Sequence, residues 1–187
     1  MIRPPDPPLS DGVVALRPWR KDDVAVLPGL IDGDAEIQRW LELMPSPYTK
    51  KDAREWVARA TEAWRSGLFL PFAVLDAKTG RVVGGLGFNS IDAESASGEI
   101  GYWLTASARG RGLTTRALRL VTLWGFQALG LERVQVRAEE ENTASCRVAE
   151  KAGFRREGVI RSSRYNPRLG RRMNFVLYSA LPGEIQA

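Results

Sequence analysis

The spacing of apolar positions changes period several times along the chain, and each change marks an element. Residues 13–19, VVALRPW, begin rich in β-formers and then meet Pro18, which predicts a short edge strand. Residues 21–31 fit a short helix limited by Pro28, and 35–43 place Ile37, Trp40 and Leu41 at helical spacing before MPSPY breaks the pattern. Thr49 is placed to cap a helix over 50–66, with Asp52 three residues on and Gly67 behind it. Strand-like runs follow at 70–75 and 82–91 across the turn DAKTGR. The second run is crowded by Gly84, Gly85 and Gly87, which predicts a bulge or a close approach.

The next stretch, 98–130, organises the rest. GEIGYWLT alternates as a strand, ASARGRG is a loop, and from Leu113 a helix sets Ala117, Leu120, Val121, Trp124 and Ala128 on one face up to Gly130. RVQVRA at 133–138 alternates again, Asn142 caps a helix over 143–152 closed by Gly153, and 158–165 with 173–181 form a hairpin across NPRLG. Residues 1–12, with four prolines, read as a flexible lead-in to one domain over 13–187. The order strand, helices, three strands, helix, strand, helix, hairpin predicts an α/β (α+β) fold with a mixed central sheet flanked by helices.

Composition narrows the chemistry. No histidine and one cysteine, Cys146, exclude Ser-His-Asp and Cys-His catalysis and an intramolecular disulfide, and leave almost no ligands for zinc or another metal. No apolar run approaches the roughly 20 residues of a membrane span, so a cytoplasmic protein is expected. Residues 1–98 carry 12 Lys/Arg against 14 Asp/Glu, whereas 99–187 carry 15 against 8, so the positive half contains the Gly-Arg loop. A helix N-terminus behind two glycines attracts phosphate. The loop lacks the Gly-Lys-Ser/Thr of nucleotide hydrolases, and Thr115 stands where a dinucleotide fingerprint needs its third Gly. Arg155 to Arg172 holds seven arginines and one acid, Glu157, without the patterned aromatics of a single-strand nucleic-acid surface, so nucleic acid is not the expected partner.

Three blocks together resemble the GCN5-related N-acetyltransferase (GNAT) family, in its ribosomal-protein RimJ/RimL type. They are GEIGYWL, the loop Arg109-Gly110-Arg111-Gly112-Leu113-Thr114, and ENTASCRVAEKAGFRREG at 141–158. Thr114 departs from the Gly or Ala usual there. The resemblance implies a splay between the fourth and fifth strands, acetyl-CoA as co-substrate, and direct attack by a primary amine. A protein N-terminal amine is the first expectation. The alternatives are a small amine of aminoglycoside type, or a relative that binds acyl-CoA without turnover. A homodimer is left open.

By that resemblance the backbone of Trp103, Leu104 and Thr105 holds pantetheine and Asn142 assists. Arg109, Gly110, Arg111, Gly112, Leu113 and Thr114 hold the pyrophosphate. Glu99 is the expected base. The Tyr that many members use as leaving-group acid is replaced by Ala149, so Ser145 is the expected acid, with Tyr165 and Tyr178 unplaced.

Overall fold

The computed structural model describes residues 2–42, 44–67 and 69–186. The expected helix end at Leu43, the domain end at Ala187 and the start of the lead-in at Met1 lie outside the described residues.

Local signals set most of the boundaries. Helix α3 (Lys50–Ser66) starts in a capping box between Thr49 and Asp52 and stops at Gly67, whose φ of 73° an L side chain rarely adopts. Helix α4 (Leu113–Leu129) lies between Gly112 and Gly130, and α5 (Thr143–Ala152) between the Asn142 cap and Gly153. The stretch 21–31 is two pieces, a 3-10 turn at Lys21–Ala25 and α1 (Leu27–Ile31), because Pro28 can enter a helix only in its first turn. Helix α2 (Ala35–Trp40) ends earlier than its apolar spacing predicted.

The strands are β1 (Leu9–Ser10), β2 (Val14–Pro18), β3 (Leu70–Asp76), β4 (Val82–Asp92), β5 (Ser97–Leu104), β6 (Arg133–Glu139), β7 (Arg155–Asn166) and β8 (Arg171–Ala180). They form one sheet in the order β1-β2-β3-β4-β5-β6-β8-β7, with β5–β6 its parallel pair. The expected lead-in is tied down at its end. Leu9 and Ser10 pair with Leu16 and Ala15, and Asp11 accepts a hydrogen bond from Arg116 of α4 at 2.7 Å. With β1 counted, the strands expected to splay are the fifth and sixth.

Helices α4 and α5 pack Leu113, Ala117, Val121, Ala149 and Ala152 onto Ile100, Leu104, Val134 and Val136. On α4 the buried positions include Leu118 and Gly125 in place of the expected Leu120, which is half-buried, and Ala128, which is exposed. The alternate residues of the central strands face a second cluster built by Trp19, Leu27, Ile31, Ile37, Tyr48, Val57 and Ala60. The crowded glycines of β4 mark a close approach. A Cβ at Gly85 would lie 2.6 Å from the Trp103 indole nitrogen, and this space lets Trp103 lie flat against Trp19 with centroids 6.5 Å apart.

Candidate active site

Strands β5 and β6 pair only through Ser97–Arg133, Gly98–Val134 and Glu99–Gln135. Beyond Glu99 they part, and a cleft of about 410 Å³ opens between β5, the α4 N-terminus, α5 and α2. The phase of the antiparallel ladder decides which amides face it. Thr105 N–H donates to Val83 O at 2.9 Å, so Thr105, Trp103 and Gly101 turn their main chain toward β4, while Tyr102 and Leu104 turn theirs toward the splay. The expectation for three consecutive residues is corrected accordingly. Trp103 and Thr105 turn their main chain to β4, whereas Leu104, joined by Tyr102, turns it to the splay. The Leu104 carbonyl is itself held by Arg109 Nε at 3.0 Å.

At the head of the cleft, Gly110 and Gly112 both have φ of 75°, and a Cβ at either would meet nothing within 4 Å. Glycine there serves a backbone conformation beside open space, as a loop that receives a ligand requires. No side chain caps α4, so its first N–H groups, from Leu113 onward, are left for an anion. Leu113 is itself a core anchor, 1% exposed, and Thr114 and Thr115 line the cleft beside it.

The two arginines have other engagements. Arg109 Nη2 donates to Asp34 at 2.7 Å, joining the loop to the start of α2. Arg111 is not among the residues lining the cleft, and its guanidinium bonds Asp76 at 2.5 Å. Both guanidinium groups thus pair with carboxylates that tie the loop to its neighbours, while Arg109 also lines the cleft.

Asn142 Oδ1 accepts from the Ser145 amide at 3.0 Å as the cap of α5, and both residues line the cleft. Tyr102 reaches across the splay to Ser145, its hydroxyl 3.0 Å from Ser145 Oγ and donating to Ser145 O at 3.0 Å. Burial pushes the Tyr102 phenol far upward, keeping it protonated. Sequence reasoning missed Tyr102. Its signal was a polar tip on the strand face that otherwise carries Ile100 and Leu104. Of the unplaced tyrosines, Tyr178 is buried and bonded to Glu150 at 3.0 Å, Tyr165 is exposed, and neither lines a cavity of the site. Glu99 shares its strand face with Trp103, and both of its oxygens are occupied. Oε1 accepts from Arg137 at 2.9 Å and Oε2 from Gln135 at 3.1 Å, and Oε2 lies 2.7 Å from Arg137 Nε in an ion pair.

Two further hollows meet the cleft at Tyr102, Trp40 and Leu41. One, of about 660 Å³, is walled by aromatic residues including Trp19, Tyr48, Trp56 and Trp103, and the buried Trp19 indole N–H has no partner among the described residues. The other, of about 180 Å³, is walled by Glu42, Glu99, Arg137, Glu139 and Arg164. The Arg-rich hairpin is solvent-exposed at all seven of its arginines, and three of them also reach neighbouring segments beside these hollows. Arg164 pairs with Glu42, Arg168 donates to the Gln38 and Met44 carbonyls, and Arg171 bonds Glu141 at 2.6 Å.

The description of the acetyltransferase (GNAT) domain family matches residues 14–155. The uncharacterized N-acetyltransferase p20 of Bacillus licheniformis is 30% identical over 152 residues, which is 81% of this chain and 83% of that protein. The ribosomal-protein-serine acetyltransferase of Escherichia coli (strain K12) is 27% identical over 69% of this chain and 71% of its own. Among solved structures, Mycobacterium smegmatis RimJ in complex with CoA-disulfide superposes with a TM-score of 0.82 at 25% identity, covering 100% of this chain and 89% of that one. A splayed sheet with a glycine loop at the head of its cleft, matched by family and relatives over most of its length, places the chain: it belongs to the GNAT acetyltransferases, in their RimJ/RimL-like branch.

Proposed function

We propose that the chain moves an acetyl group from acetyl-CoA to a primary amine, and that the amine is a protein N-terminus. The observation that carries the cosubstrate is the combination of an uncapped α4 N-terminus, two open left-handed glycines, and the splay-facing main chain of Tyr102 and Leu104. Acetyl-CoA supplies an acyl carbon activated by a thioester. The protein's part is positioning and proton handling. The loop amides and helix dipole hold the pyrophosphate, β5 takes pantetheine as an added strand, and the Tyr102 N–H lies where an oxyanion would develop. Ser145, backed by the Tyr102 hydroxyl, is placed to give a proton to the leaving sulfur. A carboxylate on the acceptor side of the splay is placed to take one from the amine.

A protein acceptor is supported by the relative that acetylates a ribosomal protein. The roomy aromatic hollow favours a second reading, a small amine with an apolar body, because an N-terminal serine or alanine would fill little of about 660 Å³. Two measurements test the proposal. Acetyl-CoA should raise the melting temperature of the wild type but not of Gly112→Glu, which sets a carboxylate against the pyrophosphate. Thiol release should follow addition of a Ser-initiated tetrapeptide more strongly than addition of phenethylamine. No shift at millimolar acetyl-CoA would sink the cosubstrate assignment, and the reverse amine preference would select the second reading.

A further inference from the structure

The acceptor side of the splay holds three carboxylates around the hollow of about 180 Å³, and they differ in what they already hold. Glu99 is bonded through both oxygens to Arg137 and Gln135. Glu42, its side chain 4% exposed, is paired with Arg164. Glu139 is the exception. It ends β6, four residues past the last pair with β5, and is 6% exposed, and its Oε2 is buried with no hydrogen-bond partner among the described residues. Alternation places it with Gln135 and Arg137 on the acceptor face, opposite the core residues Val136 and Ala138.

An ionised carboxylate accepts several hydrogen bonds, and a buried oxygen with none carries an uncompensated desolvation cost. Such a group in a folded chain marks strain, a catalytic role, or a donor supplied from outside the chain, such as a water or ligand. The hollow also touches Gly101, Tyr102 and Ser145, the residues around the expected thioester. About 180 Å³ admits an aminomethyl group with a few waters, each taking about 30 Å³.

We propose that Glu139, and not Glu99, accepts the proton of the acceptor ammonium, directly or through one water held in this hollow. The proposal rests on the amine-acetylation reading above. The acceptor enters as an ammonium and gives one proton to the Glu139 carboxylate. Its freed electron pair forms the C–N bond at the acyl carbon, the C–S bond breaks with its pair going to sulfur, and the nitrogen's second proton reaches that sulfur by way of Ser145. Glu139 then returns its proton to solvent, so the turnover releases one proton.

The surrounding charges suit the task. Burial pushes the Glu139 carboxyl upward, Glu42 and Glu141 push the same way, and Arg164 and Arg171 pull it back. Glu99 and Arg137 complete the wall from β5 and β6 as a bonded pair.

The test compares wild type, Glu139→Gln and Glu99→Gln, with acetyl-CoA and three amines: a Ser-initiated tetrapeptide, a Phe-initiated tetrapeptide and phenethylamine. Acetyl-CoA should raise the melting temperature of all three proteins equally, which reports an intact fold and cosubstrate cleft. General-base assistance accounts for about 10²-fold or more, so Glu139→Gln should lose about that at pH 7, and the deficit should shrink as the pH rises and the amine deprotonates unaided. Glu99→Gln should keep the shape of the wild-type pH profile. A Glu139→Gln profile that overlays the wild type overturns the inference, as does a wild type stabilised by acetyl-CoA that turns over none of the amines. Absence of stabilisation in the wild type would instead remove the acetyl-transfer reading on which the inference stands.

Discussion

Asp34 is the residue through which the loop after β5 holds α2. Its Oδ1 accepts from the Glu36 and Ile37 amides at 3.1 and 3.2 Å, and its Oδ2 from Ala106 N at 3.1 Å and Arg109 Nη2 at 2.7 Å. Burial opposes its ionisation, but the hydrogen bond and charge of Arg109, with the Ile37 and Ala106 amides, outweigh burial and hold the carboxyl below its usual range. Asp34→Asn keeps the cap and loses the charge. The Arg109 side chain is 36% exposed, so the pair belongs on the surface scale, at about 1 kcal/mol. Asp34→Ala loses the cap as well, which costs about 1 kcal/mol more. At about 2–4 °C per kcal/mol for a chain of this size, Asp34→Asn should melt about 2–4 °C lower and Asp34→Ala about 4–8 °C lower.

The same link has a kinetic consequence, because α2 carries Glu36, Ile37 and Trp40 into the wall of the cosubstrate cleft. Loosening it should raise KM for acetyl-CoA more than it lowers kcat. A thermal-melt and steady-state series on both variants, closed into a cycle with Arg109→Ala, measures the coupling. The folded-state carboxyl is depressed, so the pair's contribution is present above the ordinary value of 3.8 and fades as pH falls below it. Asp34→Asn should therefore converge on the wild type in acid. An Asp34→Asn protein with wild-type melting and wild-type KM at pH 7 would refute the reasoning, because the charge would then hold nothing.

Two other outcomes follow from named contacts. Ser145→Ala should cut turnover about 10²-fold while leaving stabilisation by acetyl-CoA intact, and Tyr102→Phe should cut it less, since the phenol acts behind the serine; the reverse ranking would make Tyr102 the acid. Glu157, bonded by both Arg133 nitrogens at 2.7 and 2.6 Å and by Ser179 at 2.6 Å, is held down to about 2, so Glu157→Gln should melt lower than the wild type at pH 6, and the gap should close as pH falls from 4.5 toward 2. An unchanged gap across that window would mean that Glu157 titrates normally.

The elements whose ends are written locally were legible in the sequence. Thr49 with Asp52, Asn142, and the left-handed glycines at 67, 130 and 153 are cap signals within one turn of the helix they bound, and the helices end where they say. The strand order was legible for a similar reason, as period-2 runs separated by turns. Features that depend on distant partners were not. That Arg109 also pairs with Asp34, 75 residues away, could not be read from the loop. The choice between Trp103 and Tyr102 depends on ladder phase, which is fixed by Val83 on another strand. Glu139 sits in an acidic run, GluGluGlu, that reads as a solvated turn, yet its neighbours Glu140 and Glu141 face outward while it turns in. The two-residue strand at Leu9–Ser10 is too short to show a period, and its pairing with β2 places it.

Because β5 and β6 part after three residue pairs, the sheet has an unzipped seam inside it as well as its two outer strands. Amides along that seam, with Leu104 and Val148 beside them, form a template that any extended backbone can read. A loose segment of a second copy would fit it as an added strand. On the proposed reading, acetyl-CoA would sit in that seam as a removable ninth strand. A preparation kept with CoA should remain monodisperse at concentrations where the bare chain associates, and variants of the glycine loop should announce themselves by poor solubility before any assay of acetyl transfer.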